Sequence, residues 1–506
     1  MSHYCAKCQS PLLGGSHICP TCGFDNALGI MPTEAAPAAP SDGASGPDGS
    51  APSSTGDHPA HHEHTLEYGS IAPLSAKPKW GDRVLIGAIA LAVLVIVGYG
   101  YWNWNRVRLA VKIEWPSQPQ ALAGLPTGGL DFSCLITRDG AVWCWGNNET
   151  GQLGDTMPVR TGQPLRVRAG GTFTQVDAGD SHACARATDG TVQCWGSNAL
   201  GQLGVTTTTA CKTEHGTVPC SVLPVAAPVT EAAAVTAGAE HTCALGKDGT
   251  ATCWGANSRG QLGVSRQVAG TLVAQLNPRL HFIALSAGGY HTCGILTDGS
   301  LMCWGWNRYA QLGSTASMDG CGPTLYSRTS CALEPVRSAP GLTLMAVAAG
   351  GEHTCALTRD GAAWCWGANN RGQVGNGAVS DSVPAPVQVP GERRYTAIGA
   401  GQDFTCGLAR GGSVWCWGDA SVHQFGTEDS TFSATPVQVP LPETALSLGV
   451  GAQHACVVTV NLHAVCWGAG EAGQIGKGAI GLAGSRLREA GPSQQGAIAP
   501  GSTERR

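Results

Sequence analysis

The stretch AGGEHTCALTRDGAAWCWGANNRGQVG, residues 349–375, decides the fold. Within it, Arg359-Asp360-Gly361 reads as a three-residue hairpin loop, a type I turn followed by Gly in the left-handed region. Such a loop pairs Thr358 with Ala362. Counting back three positions along each strand sets Cys355 opposite Cys365, and opposed residues on neighbouring strands lie close enough for a disulfide. Loop entropy gives a bridge over so short a segment about 2–3 kcal/mol of stabilisation. Trp366, next to the second cysteine, carries a large apolar surface that must be packed.

The same pattern recurs along the chain. Seven copies align on Cys134, Cys184, Cys243, Cys293, Cys355, Cys406 and Cys456, in steps of 50, 59, 50, 62, 51 and 50 residues. Each has a second cysteine ten positions on: Cys144, Cys194, Cys253, Cys303, Cys365, Cys416 and Cys466. Asp-Gly fills the loop in repeats one to five and Gly411-Gly412 in repeat six. Repeat seven has Asn461-Leu462, so its turn is expected to be strained or different. The Trp recurs as Trp145, Trp195, Trp254, Trp304, Trp366, Trp417 and Trp467, and is expected to pack between repeats rather than stack on a ligand. A His precedes the first cysteine at His182, His241, His291, His353 and His454, with Phe132 and Phe404 in its place elsewhere. A position that accepts Phe is structural rather than catalytic or metal-binding. Short alternating strands at a period near 50 point to the blades of a β-propeller.

The pattern AGxxHTCAL…DGxxxCWGxNxxGQLG resembles the repeat of the regulator-of-chromosome-condensation family, over roughly residues 120–480. The resemblance implies an all-β, seven-bladed propeller of four-stranded blades and a role in protein binding. It also implies, by analogy only, guanine-nucleotide exchange on a Ras-like GTPase, but the acidic and wedge residues that activity depends on have no clear counterparts here. Another relative inhibits β-lactamases by binding them, so the fold implies no single partner. Repeats in this family commonly lack cysteine; the paired cysteines suit an exported branch. Repeat one lacks a copy of the strand that precedes the motif elsewhere, such as Pro386-Val387-Gln388-Val389. Either residues 109–127 or the tail after Ile475 must therefore complete the last blade.

The two long steps carry insertions just after Gln202-Leu203-Gly204 and Gln311-Leu312-Gly313, each with its own cysteine pair, Cys211/Cys220 and Cys321/Cys331. Equivalent insertion points place both on one face, two blades apart, where repeat proteins often build a binding surface. Lys212, Glu214, His215, Tyr326 and Arg328 are the candidate partner-binding side chains. The same bridges could instead only protect exposed loops.

Ahead of the repeats, Cys5-Ala-Lys-Cys8 and Cys19-Pro-Thr-Cys22 form two knuckles suited to tetrahedral zinc, in a head of residues 1–26 too short to build a core. The pattern resembles the short zinc ribbons at the N-termini of bacterial membrane proteins. Residues 27–80 are rich in Ala, Pro, Ser and Gly and read as a disordered linker, as does a tail over 485–506. His58, His61, His62 and His64 read as part of that solvated stretch, weak metal binding being the alternative.

Residues 84–102, VLIGAIALAVLVIVGYGYW, hold nineteen residues without a charge, flanked by Trp80 and by Tyr99, Tyr101, Trp102 and Trp104. They read as one transmembrane helix with interfacial aromatics. More than 80 residues precede it, which argues against a cleaved signal peptide. Flanking charges balance: Lys77, Lys79 and Arg83 before, Arg106, Arg108 and Lys112 after. Cysteine chemistry sets the orientation. All 22 cysteines are accounted for as four zinc thiolates and nine disulfide pairs. Thiolates need a reducing compartment and disulfides an oxidising one. The head is therefore expected in the cytoplasm and the propeller outside it.

A net charge of −5 with 13% charged residues leaves no nucleic-acid footprint. No nucleophile–base pair, phosphate loop or paired carboxylates stand out, so an enzyme is not expected. The functional expectation is a membrane-anchored extracytoplasmic scaffold that binds a protein or other ligand. The alternative is a transmembrane sensor reporting to the zinc ribbon.

Overall fold

The computed structural model describes residues 111–112, 126–156, 159–265, 273–314, 319–321, 329–427 and 431–476. The chain separates into two units, 1–102 and 103–506, and every described residue lies in the second. The four head cysteines, the span 84–102, Tyr326 and Arg328 fall outside the described residues. Among the described residues no helix is long and apolar enough to cross a membrane.

The motif hairpin forms as its turn dictates. In blade 5 the Thr358 N–H donates to the Ala362 carbonyl at 3.0 Å, and Gly361 has φ 89°. Cys355 pairs directly with Cys365, Cα–Cα 4.1 Å, and the two are disulfide-bonded. The other six motif pairs repeat this register and are bridged alike. Repeat seven keeps the turn: Leu462 takes φ 61° where the other repeats place Gly, and Cys456 still faces Cys466.

Each motif hairpin supplies the second and third strands of a blade. In blade 5 the antiparallel order is Leu344–Ala349, His353–Thr358, Ala363–Asn369 and Ser380–Gln388. The first strand of each blade touches its counterparts in the neighbouring blades and so lines the axis. Seven such sheets form the ring. Blades 2 and 4 carry a fifth, outermost strand, Thr209–Thr213 and Asp319–Cys321, which are the two insertions folded back as hairpins. The bridges Cys211–Cys220 and Cys321–Cys331 tie these hairpins.

Of the two ways to complete the last blade, the chain uses its start. Val111–Lys112 pairs with Cys466 and Val465 as the outer strand of blade 7. This lies ahead of residue 120, where the repeat pattern begins, because a two-residue strand carries no motif. At the other end of the chain, the Gln474 carbonyl accepts hydrogen bonds from Trp145 and Ser133 of blade 1, sealing the same junction.

The core is a set of wedges between blades. All seven motif tryptophans are fully buried, and each packs into the cluster of the preceding blade: Trp417 sits with Cys355, Cys365, Val374 and Val389 of blade 5, and Trp145 with Cys456 and Cys466 of blade 7. The expected packing role of Trp holds. The closing Gly of the loop is required there: at Gly375, φ 75°, a side chain would begin 2.6 Å from the Trp417 ring.

A polar relay crosses five of these wedges. His353 Nε2 lies 2.8 Å from Thr405 Oγ1 in blade 6, and that hydroxyl donates to the Gln373 carbonyl at 3.0 Å. Because the hydroxyl proton goes to the carbonyl, Nε2 must carry the donating hydrogen. His182, His241 and His291 reach Thr242, Thr292 and Thr354 in the same way, and His454 reaches Ser133. Six of the tryptophans donate Nε1–H to the carbonyl of the Gln in the preceding loop; Trp417 has no such partner among the described residues. The Nδ1 atoms of the five His are buried and unpaired, so protonation would bury an unpaired charge. Burial accordingly lowers these histidines to about 3, or about 4 for His454. They are structural, as expected from Phe132 and Phe404.

Candidate functional site

The residue before each relay position turns out of the core at one end of the second strand. In four repeats it is acidic: Asp131, Glu240, Glu352 and Asp403. Asp180, one position earlier in repeat two, adds a fifth carboxylate. Burial is the first cause raising all five; like-charged neighbours add to it at Asp131, Asp180, Glu352 and Asp403, whereas Arg259 opposes it at Glu240. Asp180 is pushed highest, to about 6, first by desolvation and then by Glu240 and Asp131. One end of the ring is thus strongly acidic.

Basic and aromatic groups punctuate this end. The Arg259 guanidinium lies 4.6 Å from the Tyr290 ring centre and 4.3 Å from that of Trp306, and Trp306 meets both Tyr290 and Tyr309 edge-on. Trp, Tyr and Arg are the residue types that dominate binding energy at protein interfaces.

The insertion of blade 2 reaches over the same end. Gly216–Ala226 pairs with Val192–Ser197 and with Thr209–Thr213, which projects the tip Glu214-His215 past the body of the blade. Beneath that tip lies a pocket of about 250 Å³, walled by Asp131, Glu149, Arg160, Asp180, Glu214 and His215 among others. Arg160 lies 3.3 Å from Glu149 and 3.9 Å from Glu214. Sites for drug-sized ligands run to roughly 300–1,000 Å³ and are mostly apolar; this one is smaller and polar.

The structure therefore brings two of the five expected loop residues, Glu214 and His215, into a concave site. Lys212 is exposed and forms no part of its wall. The remaining wall residues come from repeats one and two, joined by ring packing that no local spacing reveals. The legible signal was the acid recurring just before the relay position. Among the described residues no cluster of three or more His, Cys, Asp or Glu is arranged to hold a metal ion.

Two models of the regulator of chromosome condensation (RCC1) repeat match the chain. One covers 173–202, 232–261, 282–311, 346–373 and 395–424; the other covers 139–186, 189–245, 298–357 and 360–408. Together they take in more than half of it. Among curated proteins, the chain is 31% identical over 93 residues to the RCC1 domain-containing protein RUG3, mitochondrial, of Arabidopsis thaliana, covering 18% of this chain and 21% of that protein. It is 38% identical over 92 residues to the human probable E3 ubiquitin-protein ligase HERC3, covering 18% and 9%. The Arabidopsis ultraviolet-B receptor UVR8 is 31% identical over 98 residues, covering 19% and 22%. The chain thus spans about a fifth or less of the length of these relatives. Among solved structures, human WBSCR16 superposes with TM-score 0.58 at 19% identity, over 69% of this chain and 87% of that one. Prp20p from Saccharomyces cerevisiae, a protein with binding properties to Gsp1p and histones, gives 0.56 at 18% identity, over 69% and 83%. These likenesses establish the fold.

Proposed function

Since the chain belongs to the RCC1-repeat proteins, a propeller family of protein-binding scaffolds, we propose that it is a membrane-anchored scaffold whose propeller binds a protein partner outside the cytoplasm. The carrying observation is the contrast in cysteine chemistry. Eighteen cysteines of the propeller form nine disulfides, fourteen of those residues buried in the wedges between blades. Cys5, Cys8, Cys19 and Cys22 stand instead as a doubled knuckle suited to one structural zinc. Residues 84–102 separate the two sets and are long and apolar enough to cross a bilayer. In this reading the head stays in the reducing cytoplasm. No described group forms a catalytic constellation, and the named ligase activity of HERC3 belongs to a protein of which this chain matches under a tenth.

Protease added to intact cells or spheroplasts tests the topology: residues 130–480 should be cut and the head protected, whereas a protected propeller reverses it. Crosslinking the full chain in its native membrane, followed by capture through a tag, should recover one partner at a constant ratio. Recovery of none defeats the scaffold reading.

A further inference from the structure

The pocket under the Glu214-His215 tip has a definite chemistry. Four carboxylates, those of Asp131, Glu149, Asp180 and Glu214, surround one cation, Arg160. That cation is shared by Glu149 and Glu214 on one side of the site. Asp180 is left over. It is half-buried and lines the pocket. Among the described residues it has neither a hydrogen-bond donor nor a cation, and the charges acting on it, Glu240 and Asp131, are both acidic. A desolvated carboxylate without a partner is costly unless something arrives to pair with it.

We propose that this pocket receives a protonated Lys or Arg side chain of a polypeptide partner, with Asp180 as its principal counter-ion and the disulfide-tied Glu214-His215 tip as its rim. The assignment rests on the scaffold reading and names the chemistry of its partner. Three observations favour a polypeptide over a bare ion. The described carboxylates are not clustered closely enough to chelate a metal. The volume suits a side chain rather than a whole metabolite. On the same face, Tyr290 lies within electrostatic reach of Asp180 and packs with Arg259, which also lies over Trp306, the residue types that anchor protein interfaces. The bridge Cys211–Cys220 holds the tip in place before binding, which reduces the ordering that association must impose.

The test uses the full chain in neutral detergent at low ionic strength and fluorescence anisotropy of a labelled Gly/Ser peptide carrying three lysines. The controls are the same peptide with Nε-acetylated lysines, and unlabelled spermidine as competitor. The lysine peptide should bind and the acetylated one should not. Asp180→Asn and Glu214→Gln should each weaken binding at least fivefold with an unchanged melting temperature. Glu352→Gln, on the same face but outside the pocket, should change it less than twofold. Wild-type binding should decline between pH 7.5 and 5, as Asp180 takes up a proton near 6, and Asp180→Asn should lose that dependence. Equal weakening by Asp180→Asn and Glu352→Gln would reduce the effect to general surface charge and overturn the site. Displacement by spermidine at the peptide's own concentration overturns the polypeptide assignment. The two readings fail separately. A partner still captured in membranes by Asp180→Asn and Glu214→Gln defeats the pocket alone, whereas no partner captured by the wild type defeats the scaffold.

Discussion

His353 Nε2 and Thr405 Oγ1, 2.8 Å apart across the junction of blades 5 and 6, belong to a matched pair that runs around the whole ring. Where the histidine is replaced by Phe, the threonine facing it is replaced by Ala. Phe132 packs in one cluster with Ala183, and Phe404 in one cluster with Ala455. The two solutions are a hydrogen-bonded pair and an apolar one, and mixing them has a penalty. Thr405→Ala alone strands a buried N–H and should lower stability by about 1–3 kcal/mol. His353→Phe alone crowds the hydroxyl and should cost a similar ~1–3 kcal/mol. The double variant copies the junction of blades 6 and 7 and should recover more than half of the summed loss. Denaturant midpoints of the four proteins check this; strict additivity would break the pairing.

Acid should loosen the ring through the same histidines. Each is held well below its ordinary value, so the folded state keeps it neutral while the unfolded chain takes up a proton below about 6.5. Their contribution is complete above that pH and is lost as pH falls from there toward about 3. The loss is about 1.4 kcal/mol per pH unit for each histidine. Asp180, raised to about 6, works in the opposite sense below that pH, as do Asp131, Asp177, Glu240, Glu352 and Asp403, which burial also raises. Between about pH 6.5 and 4.5 the histidines lower the stability while these carboxylates raise it, so the histidine part is read by difference against a relay variant. His353→Phe/Thr405→Ala removes one relay of five and should lose less stability than the wild type over that interval, by about 1.4 kcal/mol per pH unit; parallel pH profiles of the two proteins would show that His353 carries none of the linkage.

The turn of blade 7 isolates a backbone effect. Leu462 stands at φ 61° and also packs near Leu135 and Trp145. Leu462→Ala and Leu462→Gly both delete that packing, but only Gly is free of the left-handed penalty of roughly 1–2 kcal/mol. The Gly variant should therefore be the more stable of the two by about 1 kcal/mol. Equal unfolding midpoints would show that the turn relaxes without cost.

Non-reducing peptide mapping should recover Cys355 joined to Cys365 and Cys211 joined to Cys220, with every other bridge confined to its own hairpin. Brief treatment with a mild membrane-impermeant reductant should open Cys211–Cys220 before any pair in the wedges. Cys211 keeps slight exposure at 8%, whereas both Cys355 and Cys365 are at 0%. Simultaneous opening of all nine would mean that reduction proceeds through unfolding of the ring.

Much of this was legible because it is local. Asp360-Gly361 fixes the turn, the turn fixes the register, and the register places Cys355 against Cys365. The partner of His353 was harder to see because it lies in the next repeat, although the matched losses at Phe132/Ala183 and Phe404/Ala455 record it in the sequence. The pocket was legible only by half. Glu214 and His215 stand out as part of an insertion, but Asp180 stands one position off the recurring acid and acquires meaning only when ring packing sets it near Asp131. Val111–Lys112 was one of two candidates because two residues of strand carry no periodicity.

That short strand also dictates the order of assembly. The chain makes Val111 before any blade exists, and its pairing partner Cys466 is among the last propeller residues to be made. Each motif hairpin can fold and oxidise as it emerges, since its contacts are local. The final strand pairing cannot form until synthesis is nearly complete, and until then blade 7 has an open edge, the kind of surface that invites mispairing with another chain. The interval between the last hairpin and the docking of Val111–Lys112 is therefore when a newly made molecule is most open to misassembly. Any shortened form that starts after residue 112 would never leave it.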